Sequence, residues 1–489
     1  MIKKHWTLLI IFLIANHLNI LAQLDAKLGL LQAIEISKNR SLKTEEIGYN
    51  YEASKFTFKA ARSSLYANFS LNGNLPGLNR QINAVTQPNG SILFVPTSQA
   101  VSNVSFMINQ PIPVLGGNFW IGSSLGRIDL FNTSSVYWNA SPVFFGLSLP
   151  LGSFNQNKWN WKNAKLNYKQ SHSSYAESIE QLSIDITNAY FDFYIAKIQY
   201  ENAATNVSIN DSIYKISMGR YNVGKIAENE LLQVELSKIN AEQSVARLAV
   251  QKEIAEQRLK LLMGLNDNET IILDTLPSVK RIVIDINKAV QEAKDNSSTI
   301  IQNQIDLQQN LINMKQSSRA RFPDGTLTAS FGLNQSAGTI GGSYSNPLNS
   351  QTATIGFSIP LYQFGNAQAN YKLNKAYYDA SVARTEYLNK NLGIDVQQIV
   401  LEYQTYEEAV GNAKMGYDIA LKRYDVSKNR FLIGKIDITN LTIAQGEKDN
   451  ALINYMNTLR NYWVAYFRLR KITLFDFETN EKLIVIPKN

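Results

Sequence analysis

The residues that usually carry covalent chemistry are scarce in this chain. Its 489 residues include no cysteine and three histidines, His5, His17 and His172. Without cysteine there can be no disulfide scaffold, thiolate metal site, cysteine nucleophile or lipid-modified N-terminal cysteine. So few imidazoles disfavour histidine catalysis and histidine metal clusters. There is also no Ser/His/Asp order, no paired acids near strand ends and no phosphate loop, so the sequence predicts no enzyme, no metal and no cofactor.

The polar residues that do form a pattern lie in one motif that occurs twice. Arg220-Tyr-Asn-Val-Gly-Lys-Ile226 is matched by Arg430-Phe-Leu-Ile-Gly-Lys-Ile436, 210 positions later. A glycine at such a place can adopt the left-handed conformation that ends a helix. Plain helix stops are the alternative, but the repeated Arg and Lys favour two hairpin tips that share a docking surface for a partner protein. The predicted docking residues are Arg220, Val223, Gly224, Lys225, Arg430, Ile433, Gly434 and Lys435.

Long heptad patterns flank both tips. Apolar and aromatic residues recur at alternating spacings of four and three over 182–221 and again over 392–431. Sustained 3.5-residue periodicity is typical of a coiled-coil seam. A helix over about 155–222 would be on the order of 100 Å long, and a further seam over 441–469 indicates a helix that returns from the second tip. The sequence therefore predicts two long helical hairpins.

Two more matches show that the chain repeats itself. Phe145–Phe154 aligns with Ile355–Phe364 at the same offset of 210, with no gap before the tip motifs. Upstream, Ala33–Lys38 resembles Ala289–Lys294 at an offset of 256. An internal repeat on this scale decides the architecture, and the difference between the offsets predicts an insertion of about 46 residues in the first half.

The predicted insertion lies between positions 67 and 145. Residues 76–140 within these bounds hold five of the twelve prolines together with several strand-like stretches. Two of these, at 102–109 and 119–131, could be strands joined by a turn at Gly116-Gly117. The insertion is either an enlarged surface loop or an extra hairpin, and the sequence leaves both open.

Four stretches outside the insertion alternate apolar residues with small polar ones. Such a period of two marks a strand between two environments. A half-buried sheet would explain one of them, but four in an exported, repeated chain fit a transmembrane barrel, with lipid on one face and water on the other. The predicted strands are 65–72, 143–150, 327–334 and 352–359.

The N-terminus reads as a secretory signal peptide over residues 1–22. Lys3 and Lys4 precede an apolar run of ten, Trp6–Ala15. The rival interpretation is a membrane anchor, but the run is too short to cross about 30 Å of hydrocarbon. Removing the leader lowers the net charge from +8 to +6, which gives nucleic-acid binding little support. The sequence predicts an exported protein without a transmembrane α-helix.

Four strands cannot close a barrel, because the smallest outer membrane barrels have about eight. An open edge in lipid would leave backbone groups without hydrogen bonds, so the chain must borrow strands from copies of itself. Three copies would supply twelve strands and set six long hairpins in a ring. The predicted fold class is an α+β membrane protein, a trimeric β-barrel with four strands per chain that is continued by a long α-helical coiled-coil barrel and built from an internal tandem repeat.

This organisation resembles the TolC-type outer membrane factor (outer membrane efflux protein) family. The resemblance rests on the strand exits Leu149-Pro-Leu151 and Ile359-Pro-Leu361, on the two tip motifs, and on the repeat over nearly all of the mature chain. It implies a homotrimer in the outer membrane with a twelve-stranded barrel and a periplasmic tunnel. It also implies that the tips dock onto a periplasmic adaptor (membrane fusion) protein, coupled to an inner-membrane transporter of the RND, ABC or MFS type.

In this family, acidic side chains commonly narrow the tunnel six and nine residues past the second tip glycine. Those positions hold Asn440 and Ile443 here, so the implied carboxylate rings are absent. Glu230 occupies the corresponding place in the first repeat, with Glu228 nearby, and Asp437 lies beside the second tip. We predict that these five residues form the constriction. In it, Glu230 has a more limited role than the family's carboxylate rings, and Ile443 forms a partly apolar gate. Alternatively, Asn440 caps a helix and Ile443 packs in the seam.

The predicted function is an outer membrane channel of a tripartite efflux or type I secretion system. The duct would be passive, and the inner-membrane transporter would drive export through the adaptor. The alternative is a surface coiled-coil protein with a structural or adhesive role, which would need no lipid-facing strands. The predicted domains are the leader 1–22, a first repeat 23–265, a linker 266–282, a second repeat 283–475 and a tail 476–489. The first repeat opens with a predicted helix at 24–64 and the second with one at 283–319, and the linker holds a predicted short strand at 271–274.

Overall fold

The structure is a computed structural model that describes residues 27–152 and 154–484, so the predicted leader lies outside it. The chain forms two compact units. The sheet unit comprises Ala53–Gln170 and Ile301–Tyr387, and the hairpin unit comprises the segments up to Glu52, Ser171–Ile300 and from Leu388 onward. Within the residues described, no helix is both long enough and apolar enough to cross a membrane.

The sheet unit is built on a six-stranded antiparallel sheet. Each strand pairs with its neighbours in chain order, so β1 and β6 are the two edges. The first two strands pair with each other over most of their length and continue past the end of β3. The strands are β1 Asn68–Thr86, β2 Ile92–Ile112, β3 Gly117–Leu130, β4 Ser135–Leu151, β5 Asp324–Ala337 and β6 Leu348–Ser358.

The predicted count of four strands per chain is therefore wrong. The proline-rich insertion contributes strands, and its prolines lie where a missing N–H is tolerated. Pro96 falls in the part of β2 that pairs with β1 alone, and Pro111 lies next to the end of that strand. Pro76 lies at the register shift between Asn74 and Gly77. Of the two structures left open for the insertion, the structure shows a hairpin in the sheet.

One face of this sheet carries an apolar band that crosses β1 to β5. On β6 the residue beside Phe331 is Gln351, and the band continues at Ala353 and Ile355. Residues that pair across antiparallel strands lie on the same face, so the register places Phe69 beside Ile108, Ile108 beside Ile121, and Ile121 beside Phe145. Phe145 in turn lies beside Phe331. The opposite face at this level holds mainly small polar residues, among them Ser70, Asn72, Ser105, Ser148, Thr328, Ser330, Thr352 and Thr354.

Two helical hairpins account for most of the remaining chain. The outgoing helices have 67 residues each and the returning helices have 36 each, which confirms the predicted long hairpins. Both pairs of bounds recur at an offset of 210, and the shorter helices before each set of strands recur at 256. The helices are α1 Leu30–Arg40, α2 Leu42–Ser63, α3 Gln156–Asn222, α4 Glu228–Met263, α5 Ile286–Asn296, α6 Ser298–Arg319, α7 Ile340–Tyr344, α8 Asn366–Leu432 and α9 Ile438–Thr473.

The helix predicted at 24–64 is two helices in the structure, and so is the one at 283–319. The first break falls at Ser41, whose backbone is extended. The Ser41 hydroxyl accepts a hydrogen bond from the Lys43 amide at 3.2 Å, as a serine at a helix start commonly does. The second break falls at Ser297.

The segment between the repeats and the C-terminal residues belong to the hairpin unit. Leu273 forms a single parallel bridge with Leu28 where a short strand was predicted. After α9, the short strands β7 Phe475–Asp476 and β8 Glu481–Lys482 pair with each other. Lys482 forms an ion pair with Glu292 at 3.2 Å, so the tail is held against α5.

The core of the hairpin unit is aromatic. Tyr190, Phe191 and Phe193 of α3 are buried together with Tyr403 of α8 and Tyr462 of α9. The last two phenols both donate to the carbonyl of Lys280, at 3.0 and 2.7 Å. Buried phenols need such partners, and these two hydrogen bonds fix the segment before α5 against both helices of the second hairpin.

Candidate functional site

The two hairpin tips have the same backbone geometry. Gly224 and Gly434 adopt φ angles of +70° and +73°. In the first tip, the Gly224 amide donates to Tyr221 at 2.8 Å and the Lys225 amide donates to Arg220 at 2.9 Å. The second tip repeats both hydrogen bonds at 2.9 Å. This is the Schellman arrangement that satisfies the last carbonyls of a helix, so both glycines do end the long helices.

We expect Gly224→Ala to destabilise its tip by roughly 1–2 kcal/mol, because alanine resists the left-handed conformation. Gly219→Ala, five positions earlier in α3, is the matched control. Neither glycine has an atom within 4 Å of the place where a Cβ would be, so only the backbone conformation distinguishes them. The control should gain roughly 0.5–1 kcal/mol from a better helix former. Amide hydrogen exchange across 215–230 measures both, and equal exchange in the two variants would contradict the prediction.

Arg220 joins the first tip to the second. Its Nη2 donates to the carbonyls of Leu432 at 3.2 Å and Phe431 at 3.5 Å. Its guanidinium carbon lies 5.7 Å from the centre of the Phe431 ring. A cation at the C-terminal end of a helix is favoured by the helix dipole and by the unpaired carbonyls there. Arg220 therefore caps α8, a contact that the sequence motif alone did not reveal.

A small apolar cluster supports the tips. It brings together residues from all four helices of the two hairpins. Burial of these side chains fixes the spacing of the tips, because each buried aliphatic or aromatic side chain contributes on the order of 1.5–3 kcal/mol. Its buried members are Ile213, Val234, Tyr424, Phe431, Ile438 and Leu441.

Matching cation–π contacts lie along the two hairpins. The Lys238 ammonium lies 5.3 Å from the Tyr214 ring centre, and Lys448 lies 4.6 Å from Tyr424. Both residues of the second pair are 210 positions after those of the first. In the first hairpin, hydrogen bonds from Lys215 and Lys238 hold the pKa of Asp211 down to about 2. In the second hairpin, Lys448 forms an ion pair with Asp449 at 3.2 Å.

A cleft of about 550 Å³ lies between the tips. Its charged lining is mixed, because Arg220, Lys225 and Lys435 face it together with Glu230 and Asp437. Ile433 and Gly434 of the docking set also line it. Six predicted site residues do not line the cleft: Val223, Gly224, Arg430, Glu228, Asn440 and Ile443. The structure thus brings seven of the thirteen predicted site residues together.

Asp437, rather than Asn440, caps the helix after the second tip. The Asp437 carboxylate accepts hydrogen bonds from the Asn440 amide and from its side-chain Nδ2, both at 2.8 Å. Ile443 is 49% exposed, whereas Leu441 and Ala444 beside it are buried. The alternative in which Asn440 caps the helix and Ile443 packs in the seam is therefore wrong within one chain. The first repeat has Ala227 at the capping position, without a side-chain hydrogen bond.

A buried ionic cluster in the hairpin unit was missed from the sequence. Arg470 of α9 binds the Glu180 carboxylate through two hydrogen bonds, at 3.0 and 3.1 Å, and Asp476 through a third at 2.6 Å. Burial lowers the pKa of Arg470, but the contacts with Glu180 outweigh that effect and raise it overall. At an offset of 210, the repeat holds two lysines, Lys390 and Lys260, in place of this pair, so the repeat gave no signal for it.

No cluster of three or more metal-ligating side chains occurs in residues 27–152 and 154–484. His172, the histidine outside the predicted leader, has its Nδ1 3.1 Å from the Tyr51 hydroxyl. Burial lowers the pKa of His172, which favours the neutral ring.

The chain resembles outer membrane efflux proteins in sequence and outer membrane channels in fold. The outer membrane efflux protein family matches residues 112–265 and 289–473. Toxin and drug export protein A of Aggregatibacter actinomycetemcomitans is 31% identical over 328 residues, which cover 62% of this chain and 68% of that protein. A Haemophilus influenzae protein is 22% identical over 298 residues, 59% of this chain and 63% of the relative, so the match spans less than two thirds of that relative.

Solved structures show the same fold at low identity. The Campylobacter jejuni CmeC outer membrane channel superposes with a TM-score of 0.65 at 15% identity, over 92% of this chain and 88% of that one. The Vibrio cholerae outer membrane protein VceC gives 0.64 at 11% identity, over 91% and 95%. With more than half of its length matched, the chain belongs to the outer membrane efflux protein family and is an outer membrane protein.

Proposed function

We propose that this chain forms a homotrimeric outer membrane duct of a tripartite efflux or type I secretion system. The observation that carries the proposal is the exposed apolar band across the sheet, with small polar residues on the opposite face. Such a sheet fits lipid on one side and an aqueous lumen on the other. The duct itself does no chemistry; an inner-membrane transporter of the RND, ABC or MFS type supplies the energy. A surface adhesin made of coiled coils would not need lipid-facing strands, so it would not require this apolar band.

The tips are the proposed contact with a periplasmic adaptor protein. Both hairpins end in the same Arg-x3-Gly-Lys motif, and Arg220 holds the two tips together around one cleft. Ile433 is 66% exposed and Val223 is 68% exposed, so each tip also presents an aliphatic side chain beside its cations. An adaptor that offers acidic and apolar residues would match this surface.

The internal repeat supports self-association of the helices. Within one chain, α9 packs on α3, where Ile184 and Phe191 are only 6% and 0% exposed. Their equivalents 210 positions later, Ile394 and Leu401 of α8, are 63% and 49% exposed. Large exposed apolar stripes of this kind mark interaction sites, and here the repeat indicates which surface covers them.

The surface that would cover α8 is the α4 helix of a second copy. Arg460 of α9 binds Asp192 of α3 at 3.0 Å in the same chain. The repeat equivalents of these two residues are Val250 of α4 and Glu402 of α8. Val250 and the nearby Ile254 are largely exposed in one chain. A ring of three copies would bury both stripes, and the tandem repeat would give the ring pseudo-sixfold symmetry.

Cross-linking tests this arrangement without background, because the chain has no cysteine. We expect Val250→Cys combined with Glu402→Cys to give dimers and trimers on a denaturing gel after treatment with a short bis-maleimide. Arg460→Cys with Asp192→Cys is the matched control, since the same contact is then made within one chain and should give monomers only. Monomers from both pairs would contradict the ring.

The constriction is proposed to be only weakly selective for cations. Glu230 lines the cleft between the tips, while Asn440 is neutral and Ile443 is exposed and apolar. In planar bilayers, we expect modest cation preference that Glu230→Gln reduces further, because it removes an acidic group from the tip cleft. Asn440→Ala should leave selectivity unchanged. A strong preference that the Asn440 substitution abolishes would overturn this assignment.

Deleting the gene tests the function as a whole. The relative named as a toxin and drug export protein suggests drugs and secreted toxins as the cargo to examine first. Loss of the duct should raise sensitivity to drugs and toxic metals or stop secretion of a polypeptide, and a plasmid copy should restore either. Unchanged sensitivity and secretion, with a trimer that migrates as one species before boiling, would exclude export.

A further inference from the structure

The six-stranded sheet has two strands more than the four per chain that the resemblance to TolC-type channels implies. Removing β1 and β2 would leave β3–β6 as a continuous four-stranded sheet. The family match begins at Ile112, the last residue of β2, so this hairpin lies almost wholly outside the matched residues. The family match therefore does not account for this hairpin, and the question is whether it joins the wall of the barrel or stands outside it.

The hairpin carries the same apolar band as the other strands. Phe69 and Leu71 of β1 lie beside Ile108 and Phe106 of β2, and all four point to the face that also holds Phe145. The side chains of Phe69 and Leu71 are 64% and 72% exposed. A hairpin that stood in water would not be expected to repeat, at the same level, the apolar residues of a lipid-facing sheet.

The hairpin also has the length and the pairing of a membrane strand. Residues 99–112 of β2 pair with 117–130 of β3 without a register shift, and a transmembrane strand needs about 9–11 residues. The turn between β2 and β3 is tied to the start of α3, because Asn155 Nδ2 donates to the carbonyls of Pro113 at 2.8 Å and Val114 at 3.0 Å. β2 thus runs the full height of the sheet, down to the end where α3 begins.

We infer that β1, and not β3, is the edge that pairs with β6 of a neighbouring copy, so that the closed trimer is an eighteen-stranded barrel. The inference rests on the proposed trimer. Among the described residues, β1 pairs only with β2 and β6 only with β5, and backbone groups left unpaired in lipid are costly. An even number of strands per chain keeps the β6–β1 contact antiparallel, as in other bacterial barrels.

Eighteen strands make a wider wall than twelve. Barrel diameter grows roughly linearly with strand number, so the outer membrane section would be about 1.5 times as wide as a twelve-stranded one. The membrane section would then be less restrictive than the tips, where the duct narrows. The periplasmic end of the duct would therefore limit which cargo can pass.

Disulfide trapping decides which strand is the edge, again because the chain has no cysteine. Ala353→Cys on β6 is combined in turn with Phe69→Cys and Leu71→Cys on β1, and separately with Phe119→Cys and Ile121→Cys on β3. In outer membranes treated with a mild oxidant, we expect covalent dimers and trimers from the β1 pairs only. Dimers and trimers from the β3 pairs would show a twelve-stranded barrel and overturn the inference, while the trimer would stand.

Two readouts separate the inference from the trimer itself. If the helix cross-link between positions 250 and 402 forms but no β1 pair reacts, the edge assignment is wrong and the trimer survives; if neither reacts, both fail. Independently, Leu71→Cys and Phe106→Cys should be as protected from a hydrophilic maleimide as Phe145→Cys, while Asn89→Cys in the β1–β2 turn labels quickly. Fast labelling at 71 and 106 would place the hairpin in water and overturn the inference.

Discussion

Replacing Arg470 by methionine is expected to lower the free energy of unfolding by about 3–5 kcal/mol, because it leaves a buried carboxylate without its partner. Glu180 is 3% exposed and receives two hydrogen bonds from the Arg470 guanidinium. Asp476 loses a hydrogen bond in the same variant. Lys38, 3.9 Å from Glu180, is a poor substitute because burial lowers its pKa despite the attraction of that carboxylate.

Chemical unfolding of the detergent-solubilised protein measures this effect, and two controls define its cause. Lys43→Met removes an ion pair with Glu46 whose partners are 53% and 58% exposed, and should cost at most about 1 kcal/mol. Combining Arg470→Met with Glu180→Leu and Asp476→Asn removes the buried charges together and should recover most of the loss. If Arg470→Met costs no more than Lys43→Met, the cluster is not a structural anchor.

Introducing arginine at Phe145 is expected to lower the stability of the membrane-inserted protein by roughly 2–4 kcal/mol, the cost of a cation in the lipid-facing band of a barrel. Phe145 lies between Ile121 and Phe331 in the register, so an arginine there would be surrounded by apolar neighbours. Refolding into lipid vesicles, followed by urea unfolding, gives the difference in free energy directly.

Ser148→Arg is the matched control for this prediction. It is in the same strand, but it pairs with Asn118 and Thr328 on the polar face. An arginine that faces a water-filled lumen should cost little. Equal losses in the two variants would mean that neither face meets lipid, and the interpretation of the band would have to be abandoned.

The sequence predicted the long helices and their tips accurately because both depend on local patterns. Heptad spacing over 182–221 and 392–431 reports which face of a helix is covered, and α3 and α8 end at 222 and 432, just before the tip glycines. A left-handed glycine after a heptad run is a local stop. The repeat then doubled each signal, since a pattern found twice at one offset is stronger than either copy.

The strand count failed because strand pairing is not local. Pro96 and Pro111 look like strand breakers in sequence, but their cost depends on whether a neighbouring strand needs their missing N–H. The neighbouring strand is β1 or β3. Only the pairing in the sheet shows which residues of these strands lie beside β2. The insertion also mixes polar and apolar residues, which made its strands harder to recognise and added to the error in the strand count.

Local patterns in the sequence established the plan of the protein, with two long hairpins, twin tips and strands of alternating polarity. The three-dimensional structure was needed to show that the sheet has six strands, that Arg220 caps the helix of the other hairpin, and that Arg470 and Glu180 meet in the core. The reason is that helix periodicity and turns are properties of neighbouring residues. Contacts between residues 211 or 290 positions apart depend on how the elements pack, and no local pattern encodes them.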